Sequence, residues 1–172
     1  EDVQVVAFAE GHAGVAQTLG DGLREAIAGS ASQTQTLVPQ GGSLVVSGQV
    51  GEASYTETLE RRPSQCERRI TDERGRARDI RVPCIHIALR WETQVSAELI
   101  IRDAQGQVLY SHPFHTEERG VQEGDYEDPN ALSGGTADPE LYVGQILSTA
   151  RIMVEQMRRH MVPYYETWWL DW

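Results

Sequence analysis

Cys66 and Cys84 stand nine residues to either side of Gly75. This placement constrains the chain more than any other feature, because folding back at Gly75 brings the two sulfurs together across a two-stranded ribbon. Between them the chain reads Glu67-Arg68-Arg69-Ile70-Thr71-Asp72-Glu73-Arg74-Gly75-Arg76-Ala77-Arg78-Asp79-Ile80-Arg81-Val82-Pro83. Residues 61 to 81 hold eight arginines against four acids (Glu67, Asp72, Glu73, Asp79), a local net charge of +4 on a chain of net −11. The remainder therefore sums to −15. The pattern predicts a projecting, disulfide-stapled, Arg-rich hairpin arm over residues 61–90, carried on an anionic body and suited to contact rather than to the core.

At 172 residues the chain fits one domain, 1–163, with an aromatic tail at 164–172. No apolar run approaches bilayer-spanning length, and the N-terminus lacks the basic start of a signal peptide. A paired Cys66 and Cys84 favours an oxidising compartment, so the expected location is extracytoplasmic: the periplasm or the outer-membrane surface, with an export signal removed. The acidic balance argues against nucleic acid as a partner. All fifteen basic residues are arginine, whose planar fork suits bidentate contacts with carboxylates.

Along the chain, Val3–Ala9 reads as a buried strand. Val15, Leu19, Leu23 and Ile27 then recur on one helical face, with Gly20 and Gly22 weakening that helix. A short strand is expected near Thr36–Val38, and further strands at 43–50 and 55–59. The second limb of the arm runs on through Cys84–Trp91. Residues 94–103 alternate cleanly and turn at Asp103-Ala104-Gln105-Gly106 into a partner at 107–112. Residues 116–137 carry six acids (Glu117, Glu118, Glu123, Asp125, Glu127, Asp128) and read as a long acidic loop. Asp138-Pro139-Glu140 opens the longest helix, which Pro163 ends. The fold class is α+β: a mixed, mainly antiparallel sheet with an N-terminal helix and a long C-terminal helix packed on it.

Chemistry-bearing motifs are sparse. Asp125, Glu127, Asp128 and Asn130 offer oxygens outside any EF-hand register. His112 and His115 lack a third ligand in register, His86 reads as lying on a strand face, and His12 and His160 stand alone, so no metal is expected. There is neither a nucleophile elbow nor a phosphate-binding glycine loop. No catalytic residue and no cofactor is assigned. The contact residues are Arg68, Arg69, Arg74, Arg76, Arg78 and Arg81 on the arm, with Trp168, Trp169 and Trp172 in the tail, where adjacent indoles cannot both face inward.

The strand VQVVAFA, the glycine-punctuated helix, SLVVSGQV and the hairpin VSAELIIRDAQGQVLYS resemble bacterial envelope proteins. These are the curli-secretion-channel lipoproteins and the N-terminal domain of the Tol-system translocation protein. The likeness covers about residues 3–110 with a terminal helix, and in its last piece runs from Leu99 to Leu109. It implies an extracytoplasmic, often oligomeric assembly or secretion factor without catalytic residues. The arm departs from the pattern, being too charged for a membrane-crossing hairpin.

The sequence thus points to a non-enzymatic envelope binding or assembly protein. Its partner would be another protein or a second copy, met through the arm and the acidic loop, with the tail touching a partner or the membrane surface. The alternative is a small ligand-binding or hydrolytic domain with its site at the acidic loop.

Overall fold

A computed structural model describes residues 2–9, 12–29, 35–132 and 139–161. The elements run β1 (Asp2–Val5), α1 (Ala13–Ala28), β2 (Thr36–Leu37), β3 (Leu44–Thr71), β4 (Ala77–Asp103), β5 (Val108–Tyr126) and α2 (Pro139–Met161). One five-stranded sheet has the order β2-β1-β3-β4-β5. β1 pairs in parallel with both β2 and β3, while β3, β4 and β5 follow one another as tight-turned hairpins. The expected α+β class, with both helices on a mainly antiparallel sheet, is what the chain forms.

Contacts divide the chain into two compact units. The described residues within 1–54, 93–118 and 144–172 form the first; those within 55–92 and 119–143 form the second. In the first, the stripe Val15, Leu19, Leu23 and Ile27 is buried, as are Val95, Ala97 and Leu99 of β4 and Ile146, Ala150, Met153 and Met157 of α2. Helix α1 is continuous through both of its suspect glycines, because the packing requires one of them. A Cβ on Gly22 would come within 2.8 Å of the Val154 side chain, so the glycine sets how closely α1 and α2 approach. His12 caps α1, its Nδ1 accepting from the Val15 amide at 3.4 Å. The buried hydroxyls of Thr93 and Thr149 bond to each other, and Thr116 donates to Gln156 at 2.9 Å. No polar side-chain atom buried among the described residues is left unbonded.

The β-turns that join β3 to β4 and β4 to β5 are chemically the same. In Asp72-Glu73-Arg74-Gly75-Arg76 the Asp72 carboxylate accepts from the amides of Arg74 and Arg76, and Gly75 has φ 73°. In Asp103-Ala104-Gln105-Gly106-Gln107 the Asp103 carboxylate accepts from Gln105 and Gln107, and Gly106 has φ 84°. Each aspartate mimics a backbone turn, and each glycine takes the left-handed conformation that closes it.

Three sequence expectations are corrected. The ribbon does not mirror about Gly75: Asp72 and Arg76 close the turn, six residues beyond Cys66 and eight before Cys84, so β4 absorbs two extra residues by bulging. The strands expected at 43–50 and 55–59 are one strand, β3. Much of the predicted acidic loop is also strand, since β5 runs to Tyr126 and gives the arm hairpin a third strand. Its hold on β4 is not apolar alternation. Gly120 leaves its side-chain position to the Trp91 ring, as Gly48 in the first unit leaves its own to Phe8.

Candidate functional site

The second unit carries the charge chemistry, and its register follows from the disulfide. The Cα atoms of Cys66 and Cys84 lie 5.7 Å apart, the spacing of directly opposed residues in an antiparallel ladder. Counting back in steps of two sets Ser64 opposite His86, Arg62 opposite Ala88 and Glu60 opposite Arg90. The 3.1 Å ion pair between Arg90 and Glu60 supports that register at its far end. On the other side of β4, His86 meets Asp125 and Arg119 meets Glu92, pairs spaced six residues apart on both strands. Alternation then lines Glu60, Arg62, Ser64, Cys66 and Arg68 of β3 along one face, with Glu123 and Asp125 on β5.

Across this face the acids and the arginines meet. Arg68 grips Glu127 with two donors, its Nε lying 3.0 Å from Oε1. That hydrogen bond and the charge behind it hold Glu127 below the usual carboxylate range and Arg68 above its own. Asp125 is likewise held low, first by a hydrogen bond from Ser64 and then by His86, whose Nδ1 lies 3.0 Å away. Arg61 donates through Nε to the Pro129 carbonyl at 3.0 Å.

Arg62 acts on Asp125 through its charge, but five further arm arginines have no such relief. Arg69, Arg74, Arg76, Arg78 and Arg81 are exposed and form no ion pair with any described carboxylate. Asp72 is occupied by the turn amides. Five guanidinium groups are thus gathered within thirteen residues around one turn.

Of the residues singled out from sequence, Cys66 and Cys84 are joined. Arg68 is taken up within the unit, and the other five arginines cluster around the turn. Trp168, Trp169 and Trp172 lie outside the described residues. His160 does not stand apart: its Nδ1 is 3.2 Å from the Tyr110 hydroxyl and its ring is 4.6 Å from that of His112, beside Phe114. No group of three histidines, cysteines or acids converges as a metal site among the described residues. Sequence reading missed the Ser64–Asp125–His86 network and the Trp91–Gly120 stack. The every-second-residue run Glu123, Asp125, Glu127 was the available signal that 116–126 pairs as a strand.

No family model matches the chain, and no curated protein matches it. Among solved structures it is similar to the PelC dodecamer from Paraburkholderia phytofirmans, at 15% identity and a TM-score of 0.35, over 88% of this chain and 86% of that one. A point variant of that dodecamer, in a different crystal form, aligns at 16% identity with the same score and coverage. A minor lipoprotein from Acinetobacter baumannii aligns over 92% of this chain and 87% of its own, at 12% identity and a TM-score of 0.39. No described helix is long and apolar enough to cross a membrane.

Proposed function

We propose that this chain is a non-enzymatic binding or assembly protein of the bacterial cell envelope. It docks an acidic protein surface through Arg69, Arg74, Arg76, Arg78 and Arg81. One observation carries the reading: these five are exposed and have no carboxylate partner among the described residues, while Arg68, Arg90 and Arg119 in the same unit are paired. Crowded guanidinium groups repel one another, and an acidic surface relieves that repulsion while accepting bidentate hydrogen bonds. A second copy of the chain is the nearest such surface, since everything outside 61–81 sums to −15. Arg68 joins the contact only by exchanging Glu127. In this reading Trp168, Trp169 and Trp172 add an apolar anchor against the partner or the membrane face. The Cys66–Cys84 disulfide fits an oxidising compartment and supports the extracytoplasmic assignment.

The test is light scattering after size exclusion at low and high salt, beside retention on immobilised poly-glutamate. The expected result is an assembly that salt dissolves, and retention that Arg74→Gln, Arg76→Gln and Arg78→Gln together abolish. A monomer at every salt concentration overturns the second copy as partner. Retention unmoved by the triple substitution overturns arginine docking altogether.

A further inference from the structure

We infer that an apolar ridge on the arm, made by Ile70, Ile80 and Val82, receives the aromatic tail (residues 162–172) of a second copy. The inference rests on the reading of the arm as an acid-seeking contact, and it names the partner segment. Beyond the disulfide the arm is two strands wide, because β5 ends at Tyr126, one residue past the Asp125 that meets His86. There the less exposed positions alternate with exposed ones: Cys66 and Ile70 on β3, and Ile80, Val82 and Cys84 on β4. Since Cys66 and Cys84 are joined, the three aliphatic side chains share the face of the disulfide. All three stay partly exposed. A two-stranded ribbon is marginal in water, so a guest that covers the ridge steadies the arm as it binds. Arg74, Arg76 and Arg78 border the ridge on the side of the turn.

The guest must offer apolar surface to the ridge and anionic or aromatic surface to the guanidinium groups. Residues 162–172 read VPYYETWWLDW, with Glu166, Asp171 and no basic residue, a charge of −2. Residues 69–81 hold five arginines against Asp72, Glu73 and Asp79, a charge of +2. An indole face attracts a guanidinium group while the rest of the ring covers aliphatic side chains. Carboxylates beside it accept the arginine fork. The acids of the second unit are poorer candidates. Glu60, Glu92, Glu123, Asp125 and Glu127 each already face a cation of their own unit, so meeting a second arm would break those pairs. Arm and tail are different patches, which makes the contact heterologous. A copy held by its tail still presents its arm, and addition continues until a ring closes.

The experiment mixes two full-chain variants. The arm variant carries Arg74→Gln, Arg76→Gln and Arg78→Gln; the tail variant carries Trp168→Ala, Trp169→Ala and Trp172→Ala. By light scattering at low salt, the unmodified chain should assemble and each variant alone should be monomeric. An equimolar mixture should give a one-to-one pair, the arm variant's tail seated on the tail variant's arm. A labelled peptide of residues 162–172 should bind the tail variant once per chain, read by fluorescence anisotropy. Adding Ile80→Ser to that variant should weaken the peptide about tenfold, from lost apolar burial, and leave retention on immobilised poly-glutamate unchanged. Monomers in the mixture, or variants that assemble alone, overturn the arm-to-tail contact. Peptide binding indifferent to Ile80→Ser overturns the ridge as its seat. An unmodified chain that stays monomeric while the tail variant binds peptide assigns the tail to its own arm and overturns the second copy. Poly-glutamate retention separates the failures: where it persists, only the tail falls as partner, and where it is absent, the reading of the arm falls with it.

Discussion

The first unit excludes Leu19, Leu23, Leu99, Ile146, Met153 and Met157 from solvent completely, whereas among the described apolar residues of the second only Cys84, Ile87, Ala88, Leu89 and Leu132 are buried. The same three strands supply both units, so backbone pairing is common to them and the difference lies in the side chains. The first is held by two helical stripes closing over a sheet. The second relies on its hydrogen-bonded ladder, one disulfide, an indole over a glycine and ion pairs between neighbouring strands. Exposed ion pairs contribute little, because solvent screens them and their long side chains lose freedom on pairing. A region built this way keeps charged groups at its surface, which a helix-covered core does not.

The largest effect tests the first half of this comparison. Leu23→Ala should cost about 2–5 kcal/mol, from lost transfer energy and the cavity left behind, measured by denaturant unfolding. A change well below that range would show that the helical layer is not the principal source of stability. Next comes the disulfide. Replacing Cys66 and Cys84 by serine should cost about 3 kcal/mol for a loop of this length. The loss should appear as faster amide exchange across the arm strands with helical circular dichroism retained. Coincident loss of helicity would break the division into two differently held regions.

The smallest effect concerns charge on the first unit. Glu155 in α2 is held at about 2, first by its hydrogen bond with Arg158 and then by Arg159. A depressed carboxyl adds stability above its unfolded pKa and loses it as pH falls toward the folded value. Helicity should therefore decline slightly between the ordinary carboxylate range and about pH 2, and Glu155→Gln should flatten that decline. A nuclear magnetic resonance titration placing Glu155 in the ordinary range would refute it.

The elements legible in the sequence were those whose stability is apolar and periodic. Val15, Leu19, Leu23 and Ile27 announced α1, and Val95, Ala97 and Leu99 announced the buried face of β4. Asp103 and Gly106 announced their turn. What stayed hidden was stabilised by neighbours distant in sequence. Gly120 and the acids of β5 look like loop until Trp91, Ser64, His86 and Arg68 are set across from them. The arm's charge was readable, but its division was not: that Arg68 is taken and Arg76 left over depends on a register that two bulged residues alter. The every-second-residue acids from 123 to 127 carried the one local clue.

The paired Asp-x-x-Gly-x turns bear on how such a chain can change. Each reversal carries its own hydrogen-bonding pattern within five contiguous residues, an aspartate carboxylate accepting from two amides of the same turn. The length of β4 between them is therefore an independent variable, adjustable together with the residues opposed to it two at a time. One residue alone would swap the faces; two would keep every side chain on its own side. The arm is in effect a ruler with self-contained ends, and its reach can be reset without rewriting either turn.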